Sequence, residues 1–198
     1  VHNYGIQDFI VKVDNIAKEG YFQSIENVIY KGHADKFGKQ GTIGDKGEVT
    51  TDAEVRSVNG HFFKEEDIKN VSERIVYNET MQLVTKLYSL YNNNFKHKPL
   101  TEKINSTPVL HFLKYTAEDK GHYDWHTDDS AKHAPRTLTM LIGISDSYVG
   151  GELKVLNDNN PLKLRKNQAV IFPSNFLYSH KVEKVIEGER KVLVVWIQ

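Results

Sequence analysis

The chain contains no cysteine in 198 residues, and that absence closes several chemistries at once. Disulfides, thiolate nucleophiles, zinc–thiolate sites and iron–sulfur clusters all draw on cysteine sulfur, so any metal must be held by nitrogen and oxygen. An excess of charge of one sign is lacking too, because 26 lysines and arginines balance 26 aspartates and glutamates. No overall field therefore draws the protein to nucleic acid or an anionic membrane, and no basic, aromatic-laced stripe points to a nucleobase. No apolar run is long enough to span a bilayer, and the sequence opens without a charged-then-apolar leader. The expected setting is cytoplasmic, with neither a membrane nor a nucleic acid as partner.

What is present suits one domain with a sizeable core. Residues 9–16 alternate as a strand, with Phe9, Val11 and Val13 on one side. Asp14 and Asn15 then turn the chain into an amphipathic helix over 17–30. From 31 to 51 the apolar signal nearly vanishes, and Gly32, Gly38, Gly41, Gly44 and Gly47 are interleaved with lysines and aspartates. Such a stretch cannot offset its ordering entropy by burial, so a mobile loop is expected, either an inert surface segment or a lid over substrate. Residues 53–63 read as a returning strand. The clearest helix spans 65–91, with Ile68, Val71, Ile75, Val84, Leu87 and Tyr91 at helical spacing.

After Pro108 the texture changes to short runs rich in Val, Leu, Ile and Thr, separated by turns at Gly150-Gly151, 157–161 and Pro173-Ser174-Asn175. Many short strands with tight turns indicate a sandwich or barrel. The expected class is α+β, mainly β. A single domain, 1–198, would have helical support and the mobile loop in 1–107 and a core barrel carrying the site in 108–198.

The stretch His122-Tyr123-Asp124-Trp125-His126-Thr127-Asp128 lies between two of these runs. On an extended chain residues i and i+2 share a face, so His126 and Asp128 converge on one point. His180, at the start of a late strand, is far enough along for a barrel to bring it back opposite His126. Two histidines and a carboxylate form a facial triad that leaves roughly three coordination positions open. Iron(II) suits this donor set, and zinc would accept the same ligands. His111, His122 and His133 read as structural or solvated, Arg136 as a strand-end residue and Trp125 as a core aromatic. His133 and Lys132, in the loop after Asp128, are positioned to touch substrate.

Arg190 follows His180 by ten residues and shares a strand face with Val192, Val194 and Trp196. A guanidinium inside a barrel costs several kcal/mol without an anion. No glutamate or aspartate in the neighbouring strands is an obvious partner, so the simplest partner is a ligand: a dicarboxylate reaching from the metal.

His126-x-Asp128, His180 and a basic residue ten further on resemble the iron(II)/2-oxoglutarate dioxygenases, specifically the prolyl 4-hydroxylase-like branch. Tyr115, Tyr123, Gly150-Gly151-Glu152-Leu153, Phe172-Pro173-Ser174 and Trp196 resemble it as well, over about 109–198. The resemblance implies a double-stranded β-helix, a jelly-roll or cupin-like barrel. It implies iron held by His126, Asp128 and His180, with Arg190 on the distal carboxylate of 2-oxoglutarate. Tyr115, Tyr123 and Trp196 line the pocket by the same resemblance, Tyr123 and Trp196 as substrate contacts, although strict alternation points Tyr123 away from His126. Arg190 stands where collagen-type members use lysine. Gly143 stands where many members place a cosubstrate-binding tyrosine, which leaves Thr139 or Tyr115 as the second contact to that carboxylate.

The activity implied is hydroxylation of a substrate C–H bond coupled to 2-oxoglutarate decarboxylation, with dioxygen consumed and ascorbate as an accessory reductant. The substrate implied is proline in a peptide or protein. The same chemistry on a free amino acid, small metabolite or sugar is the alternative, and a non-catalytic metal- or ligand-binding barrel is a third reading.

Overall fold

The computed structural model describes residues 4–39, 54–96, 108–129 and 136–198. In chain order its strands are β1 (Val11–Asp14), β2 (Gly38–Lys39), β3 (Arg56–Ser57), β4 (Asn59–Phe63), β5 (Leu110–Thr116) and β6 (His122–His126). They continue with β7 (Leu138–Gly143), β8 (Tyr148–Gly150), β9 (Leu153–Val155), β10 (Gln168–Pro173), β11 (His180–Val182) and β12 (Val185–Ile197). The α-helices are α1 (Glu19–Ile25) and α2 (Val71–Asn93). One antiparallel sheet runs β1-β10-β7-β12-β5-β4-β2, with β8 also paired to β12, and a smaller one runs β3-β6-β11-β9. The protein is thus mainly β, with few helices.

Strand β12 organises the interior because its two faces serve two cores. Leu193, Val195 and Ile197 pack in the core that includes α1 and α2 residues. Val192 and Val194 face the other way, into the core shared with Leu153, Val155 and Val182 of the smaller sheet. The period-2 alternation places Arg190 and Trp196 on this second face. Register then fixes their neighbours: Arg190 lies opposite Tyr115 on β5, and Trp196 opposite Thr139 on β7.

The helices differ from the sequence pattern in instructive ways. α1 ends at Ile25 and continues as a π-helical turn through Lys31. α2 starts only after Asn70, whose side chain accepts from the Glu73 amide and caps the first turn. Its buried face is Val76, Tyr77, Thr80, Leu83, Val84, Leu87 and Tyr91, while Val71 and Ile75 are exposed. The stripe read from sequence therefore holds at Ile68, which packs against the core ahead of the helix, and from Val84 onward, but is turned outward at Val71 and Ile75. Glu73 takes a buried place because its carboxylate accepts from the Lys69 amide and bonds His33.

Two loop expectations also change. The run expected to lack structure from residue 31 begins with ordered chain: Ala34–Lys36 forms a 3-10 turn and β2 pairs with β4. The remainder of that expected loop, 40–51, lies outside the described residues, as do Lys132 and His133. The single strand expected over 53–63 is two, β3 in the smaller sheet and β4 in the larger, with Val58 buried between them. That switch carries Arg56 against β6, opposite Tyr123. No helix among the described residues is long and apolar enough to cross a membrane.

Candidate metal centre

Strands β6 and β11 pair so that His180 lies directly opposite His126. Asp128 follows β6 by two residues and is buried, as is His180. His126, Asp128 and His180 each offer a ligand atom within 4.8 Å of the other two. His126 Nε2 lies 4.0 Å from Asp128 Oδ1, and His180 Nε2 lies 3.5 Å from Oδ2. Two ligands each about 2.1 Å from one ion stand roughly 3.0–3.5 Å apart, so a modest closure satisfies a divalent metal.

Hydrogen bonds around the triad aim it. His126 Nδ1 lies 2.7 Å from the Asp124 carbonyl, and His180 Nδ1 lies 3.1 Å from the Tyr178 carbonyl. A carbonyl only accepts, so each ring donates from Nδ1 and directs the Nε2 lone pair toward Asp128. Thr139 donates its hydroxyl to Asp128 Oδ2 at 2.7 Å and meets Ser174 Oγ at 2.9 Å. Burial raises the Asp128 pKa, but the His180 and His126 rings and the Thr139 hydroxyl outweigh it, so the carboxyl is held below its ordinary value. The Trp196 indole N–H approaches the same carboxylate without closing a hydrogen bond. Among the described residues this His₂Asp set fits a first-row divalent ion with open positions.

Thr139, expected at the distal carboxylate of the cosubstrate, is instead spent on Asp128. Register gives the reason: Thr139 pairs with Trp196, six residues along β12 from Arg190, which is roughly 20 Å at strand rise. Tyr115, the other candidate, lies directly across from Arg190, with the guanidinium carbon 5.0 Å from its ring centroid. Replacing Thr139 by valine keeps the shape and removes the hydrogen bond to Asp128. We expect a 10- to 100-fold loss of metal affinity, measured by competition with a chromophoric chelator.

Arg190 is 1 % exposed, and its Nε, Nη1 and Nη2 are all buried without a hydrogen-bond partner. It lines the same cavity as His126, Asp128 and His180, with Leu113, Leu141 and Val192 among the walls. Gly151 makes room for it: at φ +65 a Cβ there is strained, and it would lie 2.9 Å from Arg190 Cδ. Gly143 has a separate role. A Cβ at that position would lie 2.0 Å from the Arg165 carbonyl oxygen, so backbone occupies the space a tyrosine would need. Gly143→Ala should cost at least about 1–3 kcal/mol of stability, read by chemical denaturation.

A family model described as the 2OG-Fe(II) oxygenase superfamily matches residues 110–198, the segment that holds the triad and Arg190. That segment is similar to the members of this superfamily. A PKHD-type hydroxylase of Prochlorococcus marinus strain AS9601 is 31% identical over 134 residues, covering 65% of this chain and 60% of the relative. A PKHD-type hydroxylase of Crocosphaera subtropica is 30% identical over 138 residues, covering 65% and 61%. The matched region thus spans about 60% of the length of these curated relatives. A prolyl hydroxylase of Trichoplax adhaerens, solved with a hypoxia inducible factor peptide fragment, superposes with TM-score 0.71 at 14% identity. That match covers 96% of this chain and 83% of the other. A Pseudomonas putida prolyl-4-hydroxylase gives 0.68 at 12% identity, covering 96% and 92%. These two likenesses show the fold.

Several side chains at the centre are placed otherwise than the residue pattern alone would put them. The Tyr123 ring stacks on His126 at 3.5 Å between centroids, although alternation puts the two on opposite faces. A β-bulge explains it: His126 and Tyr123, three apart on β6, pair with His180 and Val182, two apart on β11. His111, expected to be structural or solvated, lines the cavity, and burial with the nearby Arg56 charge lowers its pKa to about 3. Its signal was present, because His111 and Tyr115 are four apart on one strand face. Tyr148, never singled out, senses the Arg190 charge, which opposes the burial that raises its pKa. Arg136 lies over the Trp196 ring at 3.8 Å and donates to the Asp128 carbonyl, more than a strand-end role. Trp125, expected in the core, is 37 % exposed and near Lys181. His122 is bonded to the Lys120 and Glu54 carbonyls, as a structural histidine should be.

Proposed function

We propose that this protein is an iron(II)/2-oxoglutarate-dependent hydroxylase acting on proline in a peptide or protein. The observation that carries the reading is Arg190, a buried guanidinium with three unpartnered nitrogens in the cavity that also holds the His126, Asp128, His180 triad. A dicarboxylate chelated at the triad supplies the anion such a group requires. The relatives' names, PKHD-type hydroxylase and prolyl hydroxylase, support the reaction class and the peptide substrate. The two antiparallel sheets around this cavity support a double-stranded β-helix, with 108–198 as the core of a single dioxygenase domain.

In that reading His126 and His180 bind through Nε2 and Asp128 through its carboxylate, with Thr139 and the two backbone carbonyls fixing their aim. Arg190 takes the distal carboxylate and so decides which end of 2-oxoglutarate chelates, with Tyr115 beside it. Leu113, Leu141, Val192 and Val194 wall the space between and exclude water. His111, held neutral, adds no repulsion toward a cation. Iron(II) with dioxygen and 2-oxoglutarate supplies the oxidation: succinate and carbon dioxide form, and one oxygen atom enters a C–H bond as hydroxyl.

A structural zinc module makes no use of Arg190, and a binding barrel makes no succinate. The test is a mass-spectrometric screen of proline-containing peptides and free amino acids for one added oxygen atom, with succinate measured alongside. Hydroxylated peptide with matched succinate is expected. Succinate with oxygen found only on free amino acids would move the substrate to small molecules, and no succinate at all would overturn the reading.

A further inference from the structure

Among the described residues, the cavity lining carries one cation more than the metal and cosubstrate account for. Its lining includes two guanidiniums, Arg56 and Arg190, and one carboxylate, Asp128. A dication and the 2-oxoglutarate dianion cancel, Arg190 and Asp128 balance, and the Arg56 charge is left over. Arg56 is half-buried, its Nε is buried without a partner, and among the described residues it forms no ion pair. It is also placed beside the chemistry. Its guanidinium carbon lies 4.3 Å from the Tyr123 ring centroid, and His126 covers the ring's other face, so one phenol separates Arg56 from a metal ligand. Two further polar atoms in the cavity wall, His111 Nδ1 and Trp196 Nε1, are buried without a hydrogen bond, and His111 is 6 % exposed.

We propose that Arg56 is a specificity-determining residue that binds a carboxylate of the substrate, so that the hydroxylated carbon is presented together with a nearby anion. The proposal rests on the reading of the site as a 2-oxoglutarate-dependent hydroxylase and narrows its substrate to carboxylate-bearing molecules. That carboxylate is either the main-chain carboxylate of a free amino acid or the side chain of an acidic residue next to proline in a peptide. A neutral substrate would leave the described lining with a net positive charge, while a carboxylate meets the guanidinium charge and its unpartnered Nε through a charge-assisted hydrogen bond. Tyr123 holds the guanidinium by cation–π contact, and Nε–H is left to donate.

The experiment uses the full chain loaded with zinc and 2-oxoglutarate, which binds without turnover, and reads affinity by calorimetry. The probes are two matched pairs, L-proline against L-prolinamide and acetyl-Asp-Pro-amide against acetyl-Asn-Pro-amide. In at least one pair the carboxylate form should bind about tenfold to a hundredfold more tightly, and which pair responds identifies the source of the carboxylate. Arg56→Gln should erase that preference while 2-oxoglutarate binds unchanged, and Arg56→Lys should retain part of it. Equal affinity within both pairs, or a preference that survives Arg56→Gln, overturns the proposal. Should 2-oxoglutarate itself fail to bind the metal-loaded protein, the hydroxylase reading fails first, and the proposal falls with it.

Discussion

Replacing Arg190 by methionine should make the ligand-free protein more stable and its 2-oxoglutarate complex far weaker. Both effects follow from a guanidinium that is 1 % exposed with no hydrogen bond from any of its three nitrogens. Without a ligand the charge is a burden, and an apolar side chain of similar length relieves it. Replacing even a buried ion pair by well-packed apolar residues is often neutral or stabilising by roughly 1–4 kcal/mol, and a buried charge without a partner has less to lose. For a chain of this size each kcal/mol moves the melting temperature by about 2–4 °C. With the ligand the same charge becomes the anchor. Removing one partner of a buried charged pair costs about 2–5 kcal/mol, or roughly 30-fold to several thousand-fold in affinity. Thermal melts and anaerobic 2-oxoglutarate titrations of the two proteins should therefore move in opposite directions. A variant that melts lower and binds equally well would mean that Arg190 is a structural residue.

The second large effect concerns the metal. Adding zinc or manganese(II) at about 100 times its dissociation constant should stabilise the protein by about 2.7 kcal/mol, a rise of roughly 5–11 °C in melting temperature. Asp128→Ala should erase this rise and bring succinate formation to background. Among the described residues Asp128 is the carboxylate that both histidine Nε2 atoms face, at 4.0 and 3.5 Å. The melting temperature of the metal-free variant is the control. If the variant still responds to metal as the parent does, the ion is bound elsewhere.

Much of this site was legible in the sequence because its logic is local to strands. The alternation of Arg190, Val192, Val194 and Trp196 requires only period 2, and the two cores on either side of β12 follow it. His126 and Asp128 converge for a related reason, although Asp128 lies just past the end of β6. What the residue pattern alone misses depends on pairings between distant segments or on irregularities within them. Tyr123 reaches His126 through a bulge that no pattern of apolar residues announces. Arg56 arrives because a polar stretch splits into strands of two different sheets, and its partner on β6 is 67 positions away in sequence. Thr139 was assigned to the wrong end of the cavity because the register of β7 against β12 is set by tertiary pairing. The first turns of α2 were misread for another reason: hydrogen bonds at Asn70 and Glu73, and not hydrophobicity, orient that end of the helix.

The charge arithmetic also ranks the neighbours of Arg190. Tyr115 and Tyr148 both feel its field against the burial that raises their pKa values, so both phenols stay protonated and able to donate to an incoming carboxylate. Tyr148 donates at present to the Leu164 carbonyl, and Tyr115 faces Arg190 across the β5–β12 pair. Tyr115 is therefore the nearer candidate for a second contact to the cosubstrate.

The central claim, that Arg190 and a distal carboxylate meet inside this cavity, is tested most directly by a thermodynamic cycle. 2-Oxoglutarate and 2-oxopentanoate, the same chain without the distal carboxylate, are each titrated anaerobically into the iron(II)-loaded parent and Arg190→Met proteins. The account predicts that deleting the carboxylate weakens binding strongly in the parent and hardly at all in the variant, a coupling of about 2–5 kcal/mol. An equal loss in both proteins would contradict it.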